Sequence, residues 1–251
     1  HPSTTTGIPP RLSHWLRARE YAVPTSMIEA ATTRRLAGDW TGACAAAGFD
    51  PDVDLAAIRR RHGTELAEHL LADLLHFAPD LFRWHAPRVA STGHLRAGLT
   101  IALARYRQGP ESRFGTADSV YLVARTPPRW ADAGQRMSLS VWDGSAPESH
   151  PHPRPDRRYR LDLHRHLWDV RHAQDLRVRC GADSSPSPPL PPPPLDLFDG
   201  CAVDRWSTES VLLLRAEGRR SGCVRIRLGS RRDLFLHIGI DDADGIRWVT
   251  D

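Results

Sequence analysis

Apolar residues change their spacing near residue 90, and this change constrains the fold more than any other feature of the sequence. Before it, apolar positions recur every three or four residues, as Leu66, Leu70 and Leu74 do, which places them on one side of a helix. After it, the segments LTIALARY, SVYLVART and QRMSLSVW alternate apolar and polar residues, as strands with one covered face do. Helices followed by strands predict the α+β class rather than a doubly wound sheet.

The first 90 residues are predicted to form a helical region. Gly38 and Gly48 each follow an apolar helical segment, where glycine commonly ends a helix. Asp39 is placed to cap the helix at WTGACAAAG, because a carboxylate accepts hydrogen bonds from the first free amides of a helix. The next segment, FDPDVD, is expected to be a loop, with one of its aspartates capping the helix at LAAIRRRHG.

The rest of the chain is predicted to be largely antiparallel and sandwich-like. Residues 91–182 form the main β region, in which RYRLDL is also expected to be a strand. Residues 183–195 form a proline-rich linker or loop, because a run of prolines favours an extended, stiff backbone. In residues 196–251, the segments SVLLLRAE, CVRIRLG, DLFLHIGI and IRWVT are expected to be strands that complete the sheet or form a small subdomain.

The composition excludes several kinds of chemistry within these 251 residues. The sequence contains no lysine, so all 34 basic residues are arginine. A P-loop, a Schiff-base enzyme and a protein kinase each need a lysine at the reacting group. The sequence also lacks the motifs GxSxG, HExxH and GxGxxG. We therefore expect a protein without a cofactor, and a non-enzymatic role over an enzymatic one.

The charge balance is nearly even along the chain. The 30 acidic residues offset most of the arginines and leave a net charge of +4. A duplex-binding surface normally needs a more concentrated positive excess, so nucleic acid is a possible partner but not an implied one. The sequence has no apolar run of about 20 residues that would cross a membrane. A membrane is accordingly not an expected partner, and a cytoplasmic location is expected.

The segment RYRLDLHRHLWDVRHAQDLRVRC suggests two kinds of site. If its apolar residues face the core, then Arg160, Asp162, His164 and His166 share the outer face of one strand. Two imidazoles and a carboxylate on one face could bind a metal, which would support a metal-dependent hydrolase or nuclease. The many arginines in the same segment oppose a bound cation, however, and favour an anion or an acidic protein surface.

The preferred hypothesis is therefore a non-enzymatic interaction or scaffold module. It would present a sheet face rich in arginine, histidine and tryptophan to a protein or to another anionic partner. The residues predicted to bind this partner are Arg129, Trp130, Arg160, Arg165, Trp168 and Arg171.

A third hypothesis is DNA binding through a helix-turn-helix. The segment CAAAGFDPDVDLAAIRRRHG has a helix, a turn with glycine and a second helix that ends in Arg59–Arg61. Aspartates occupy the turn and the start of the second helix, where they would repel phosphate. This interpretation is therefore not favoured.

Four segments resemble a group of uncharacterised actinobacterial proteins. They are PPRLSHWLRAREYAVPTSMIEAATTRRLAGDW, APDLFRWH, RTPPRWADAGQRMSLSVWDG and YRLDLHRHLWDVR. The group is associated with loci that encode MoxR-type AAA ATPases and von Willebrand A proteins. The resemblance implies an accessory or scaffold component that works beside an ATPase in the cytoplasm. It brings no catalytic motif, so it assigns no role to any residue.

Overall fold

The chain divides into two compact units, His1–Ala173 and Gln174–Asp251. The structure is a computed structural model. It describes residues 10–89, 91–107, 119–129, 135–144, 150, 152–180, 203–227, 233–239 and 247–250.

The first unit begins with helices. Asp39 and Asp54 act as N-caps, since their carboxylates accept hydrogen bonds from backbone amides two or three residues further on. The predicted cap at Asp39 is thus confirmed, and Gly38 and Gly48 end their helices with positive φ as predicted. The helices are α1 (Pro10–Ala22), α2 (Thr25–Leu36), α3 (Trp40–Ala46), α4 (Leu55–His62), α5 (Thr64–His76) and α6 (Pro79–His85).

A four-stranded sheet follows, with its described strands in the order β1-β4-β3-β2. The strands are β1 (Phe49–Asp52), β2 (Thr100–Arg107), β3 (Ser119–Arg125) and β4 (Met137–Trp142). β3 pairs antiparallel with both β2 and β4, and β1 pairs parallel with β4. Every residue of β3 is buried. Both faces of β3, at the centre of this sheet, are therefore covered, whereas the sequence predicted strands with one solvent-exposed face.

The core of this unit joins the helices to the sheet through aromatic side chains. The Phe49 ring contacts Phe77 and Phe82 edge to face, with centroids 5.5 and 5.7 Å away. Phe77 also packs against Trp168, at 6.2 Å. These rings fix α5, α6 and β1 against the segment around Trp168.

The loop predicted at FDPDVD is wrong, because its first four residues form β1. Aspartate and proline are depleted in strands. Because β1 contains two aspartates and Pro51, its sequence does not resemble that of a strand. The strand lies at the edge of the sheet, where proline is tolerated. The fully buried Phe49 holds the strand in place.

The strand predicted at RYRLDL is also wrong. The segment makes one isolated bridge, between Ala102 and Arg160, and ends in the first of three successive 3₁₀ turns. An alternation of only three apolar residues is too short to distinguish a strand from turns. The turns are Leu161–Leu163, Arg165–Leu167 and Val170–His172.

The second unit places one helix on a three-stranded sheet. Leu214 packs against Leu236 and Ile238, with Trp206 and Val224 beside them. The described strands are antiparallel in the order β5-β6-β7. Its elements are α7 (Asp175–Arg179), a 3₁₀ turn (Val203–Arg205), α8 (Trp206–Ala216), β5 (Gly222–Arg227), β6 (Asp233–Ile238) and β7 (Arg247–Thr250).

The strand predicted at SVLLLRAE is wrong, because all but the last residue of this segment lie within α8. Ser207, Ser210 and Leu214 are all buried, at spacings of three and four residues. The buried side of the helix thus includes two serines. A reading of apolar residues alone could not recognise this face.

The α+β class is confirmed: helices lie mainly in the N-terminal part of the chain, and strands come later. Within each unit the described strands form a single sheet, so the sandwich-like arrangement is not evident in this part of the chain. The division between the two units falls between residues 173 and 174. The boundaries near 90 and 183 suggested by the sequence stay a prediction. The proline-rich segment 183–195 lies outside the described residues. Among the described helices, none combines the length and apolar character needed to cross a membrane.

Candidate anion-binding groove

Two predicted binding arginines, Arg165 and Arg171, are bound by buried aspartates in what we call the ionic cluster. Asp169 is 0% exposed and accepts hydrogen bonds from both arginines, from Arg165 Nη2 at 2.8 Å and from Arg171 Nη2 at 2.7 Å. Asp73 is 6% exposed and binds the same two guanidinium groups. The hydroxyl of Tyr106 donates to the other oxygen of Asp73, at 2.8 Å. Two carboxylates and two guanidiniums leave this cluster electrically balanced.

Trp168 lies beneath the ionic cluster and is 0% exposed. Its Nε1 donates to the carbonyl of Leu161 at 3.0 Å, and its own carbonyl accepts from the amide of Ala78 at 2.8 Å. The Arg165 guanidinium carbon lies 4.6 Å from the ring centroid, which is a cation–π distance. Trp168 therefore anchors its segment to the helices.

These contacts correct the prediction of an exposed binding face in residues 160–171. Trp168 is in the core, and Arg165 and Arg171 already have carboxylate partners. Arg160 is held by Asp162 through two hydrogen bonds, of 2.8 and 2.7 Å. The predicted residues do come together, but their contacts are internal to the unit.

The alternative metal site has a different geometry from the one predicted. His164 lies between two 3₁₀ turns and His166 lies within the second, with ring centroids 5.7 Å apart, and His166 is buried. Asp162 is turned towards Arg160. Over the part of the chain that the structure describes, no group of three or more His, Cys, Asp or Glu side chains is placed to hold a metal ion.

The ionic cluster predicts a specific loss of stability in acid. Burial by itself raises the pKa of Asp169, but hydrogen bonds from Arg171 and Arg165 outweigh it and keep the pKa below its ordinary value. A lowered pKa adds stability above the unfolded-state value of about 3.9, and this contribution is lost as the pH falls through the folded-state value. Denaturant titrations below pH 4 should show that wild-type stability falls more steeply than that of Asp169→Asn.

The difference in slope should approach about 1.4 kcal/mol per pH unit, the value for one proton. The exposed Asp52→Asn is the matched control for the loss of one carboxylate. Equal slopes in wild type and Asp169→Asn would show that the cluster does not hold Asp169 charged.

The helix-turn-helix geometry is not present. The strand β1 lies between α3 and α4 and pairs with β4, so the two helices are not joined by a tight turn. Arg61 lies 3.3 Å from Asp143, which also contacts His62 at 3.1 Å. The end of α4 is thus tied to the residue that follows β4.

The remaining predicted binding residue that the structure describes, Arg129, lines a surface groove. Trp130 lies outside the described residues. Two adjoining cavities of about 800 and 780 Å³ share walls formed by Arg88, Thr92, His94 and Gln135. We call the two cavities together the arginine groove. Its basic residues are Arg17, Arg83, Arg88, His94, Arg96, Arg129 and His152.

A short hairpin contributes to the walls of both cavities. Arg88 and Leu95 form an isolated antiparallel bridge, and the amide of Val89 donates to the carbonyl of His94 at 2.9 Å. Gly93 has a φ of +73°, and a Cβ there would come within 2.8 Å of the Ala18 Cβ on α1. The hairpin therefore lies directly against α1.

Arg83 and Arg88 form the inner wall of the first cavity. Arg83 is 7% exposed, and it donates to the carbonyls of Ala22 and Gln135, each at 2.9 Å. Arg88 donates to the carbonyls of Gly93 at 3.0 Å and Arg83 at 2.9 Å. Its Nε is buried without a hydrogen-bond partner among the described residues. These partners are neutral carbonyl oxygens, and no carboxylate among the described residues forms an ion pair with either arginine.

The pKa values of Arg88 and Arg83 are lowered by burial and by the positive charges around them. Burial, reinforced by repulsion from Arg83 and Arg19, lowers the pKa of Arg88 to about 10. Burial and the charge of Arg136 lower the pKa of Arg83 as well. The lowered pKa of each arginine means that its surroundings destabilise the cationic form.

Gln135 holds the groove together in a strained conformation. It has a φ of +61°, which is uncommon for a residue other than glycine. Its carbonyl accepts from Arg83, and its side-chain oxygen accepts from the amide of Leu95 at 2.6 Å. Strained residues that are fixed from both sides often occur at binding sites.

Sequence reasoning named Arg129 as a residue that binds a partner, but it did not predict the groove or the residues of its inner wall. The segment HAPRVASTGHLRAG, with basic residues among glycine and proline, was a visible signal of a polar loop. The burial of Arg83 inside an apparently ordinary helix gave no such signal.

Comparison of the chain with protein-family models, with curated proteins and with solved structures gives no match. The groove is therefore interpreted from its own geometry.

Proposed function

We propose that the protein is a non-enzymatic interaction module that binds an acidic segment of a partner protein in the arginine groove. The observation that carries this proposal is the composition of the groove walls. Five arginines and two histidines line the two cavities, and none of the described lining residues is aspartate or glutamate. Such a surface complements carboxylates, for which guanidinium supplies paired N–H donors.

The shape of the groove favours a protein segment over a duplex. Two adjoining cavities of about 800 and 780 Å³ provide recessed pockets for side chains. The net charge of the whole chain is only +4, which is weak for a protein that binds nucleic acid through phosphate contacts. The positive excess is local, as expected for recognition of a short acidic stretch.

Binding of a labelled oligo-glutamate peptide, measured by fluorescence anisotropy, tests the proposal. The double variant Arg96→Gln/Arg129→Gln should weaken binding about 5- to 30-fold, because each lost charge pair contributes up to about 1 kcal/mol. Arg129 is exposed and makes no hydrogen bond or ion pair with any described residue. Removal of the Arg129 guanidinium therefore breaks no described internal contact, and removal of the Arg96 guanidinium breaks one hydrogen bond, to the Tyr159 hydroxyl at 3.2 Å.

Arg60→Gln is the matched control, since Arg60 is exposed on α4 and does not line the groove. An oligo-glutamine peptide of the same length should not bind. Equal binding by wild type and the double variant would contradict the proposal. A single-stranded oligonucleotide that bound more tightly than the peptide would instead favour nucleic acid.

The resemblance to proteins of MoxR-type AAA ATPase and von Willebrand A loci indicates where the acidic segment would come from. Components of such a system are the first candidate partners, and the proposal includes the cytoplasmic location expected from the sequence. The arginine groove replaces the segment 160–171 as the proposed contact surface, and Arg129 is retained from the residues predicted to bind the partner.

A further inference from the structure

We propose that the first cavity of the arginine groove binds a phosphoryl group, held by Arg17, Arg83 and Arg88. The group would be carried by the acidic partner segment, so this inference rests on the proposed function and specifies its ligand. The three arginines come from three different elements, namely α1, α6 and the hairpin that follows α6. A phosphoryl group offers three acceptor oxygens and close to two negative charges.

The inner wall carries excess positive charge, which a bound dianion would neutralise. Arg83 and Arg88 are neighbours, since Arg88 donates to the Arg83 carbonyl at 2.9 Å. Neither has a carboxylate within ion-pair distance among the described residues, although Arg83 is buried and Arg88 is half-buried. Arginine is rarely buried without a charged partner. The ionic cluster of the same unit shows the contrast, because there each buried carboxylate has two arginine partners.

The donors needed for an oxyanion are available. Each guanidinium has five N–H donors, and Arg83 and Arg88 each use two nitrogens on backbone carbonyls. Those carbonyl contacts fix the orientation of both side chains before any ligand arrives. Arg17 is exposed and makes no hydrogen bond or ion pair with a described residue, so it is available to close over the ligand.

Two short peptides of equal net charge test this inference. One carries a single phosphoserine, and the other carries two glutamates at and beside that position. We expect the phosphopeptide to bind about tenfold to a hundredfold more tightly, the range for hydrogen bonds between charged groups. Inorganic phosphate should displace it, whereas sodium chloride of equal ionic strength should displace it much less. Arg88→Gln should remove this preference.

Arg17→Gln is the second variant, because Arg88 also holds the hairpin and its loss could affect folding. Arg17→Gln should reduce the preference for phosphoserine while leaving the thermal midpoint unchanged, and Arg60→Gln should leave both unchanged.

Equal affinity for the two peptides would overturn the phosphoryl site and leave the proposed function standing. Inorganic phosphate that bound as tightly as the phosphopeptide would support the oxyanion site but contradict recognition of a partner segment. Failure of all three ligands to bind would overturn both.

Discussion

Replacement of Asp169 by alanine is expected to lower the free energy of unfolding by about 3 kcal/mol. Asp169 is fully buried and accepts hydrogen bonds from Arg165 and Arg171, so its loss leaves two guanidiniums with Asp73 alone. Breaking a buried ion pair costs about 3–5 kcal/mol. The lower value applies because the two arginine side chains are 29% and 37% exposed and retain some hydration. Urea titration of the purified protein measures the change.

Asp50→Ala is a matched control for this experiment. Asp50 also makes paired hydrogen bonds with one arginine, Arg136, but its side chain is 64% exposed. An exposed ion pair contributes about 1 kcal/mol or less. A similar loss of stability in the two variants would show that the ionic cluster has no special structural role.

Replacement of Trp168 by alanine is expected to cost about 3–5 kcal/mol, the range for removing a large buried aromatic side chain. The change removes the contact with Phe77, the hydrogen bond to the Leu161 carbonyl and the ring beneath Arg165. Thermal and urea unfolding should both report it. Trp168→Phe should cost less, because it keeps most of the apolar volume.

Tyr21→Ala serves as the control for removing an aromatic ring, since Tyr21 is 81% exposed and should change stability by about 0.5 kcal/mol or less. If Trp168→Ala unfolded like wild type and instead lost binding to a partner, Trp168 would be the exposed contact residue that the sequence suggested. The structure predicts the opposite order of effects.

The sequence allowed the α+β class and most strands of the two sheets to be predicted correctly. Alternation in LTIALARY, SVYLVART and QRMSLSVW corresponds to β2, β3 and β4, because each strand is long enough for a period of two to be distinguished. The cap at Asp39 was predictable too, since it depends on a carboxylate beside its own helix. Interactions between residues close in sequence determine these features.

The errors concern features that depend on distant contacts. β1 is a strand because Phe49 enters a core made by Phe77 and Phe82, far along the chain. α8 buries two serines, which no hydrophobic pattern reveals. The arginines at 165 and 171 were predicted to face outward, because nothing local shows that Asp73 is their partner about 90 residues earlier.

In the candidate site too, the residues that could be predicted depend on local sequence, and the others depend on distant contacts. Arg129 was predictable as an exposed basic residue in a loop with prolines. Arg83 lies within a seven-residue helix whose sequence, PDLFRWH, looks like an ordinary amphipathic segment. Its importance arises only when Ala22 and Gln135 orient it towards the cavity, and those residues lie more than 50 positions away on either side.

The contact between Gly93 and Ala18 has a consequence for how the protein can vary. Any larger residue at position 93 would push the hairpin and α1 apart. It would require a strained backbone and about an ångström of extra space between them. The close approach of the hairpin, which carries Arg88, to α1, which carries Arg17, thus depends on the absence of a side chain at position 93. We therefore expect substitutions at position 93 to change the ligand selectivity of the groove while every arginine is retained.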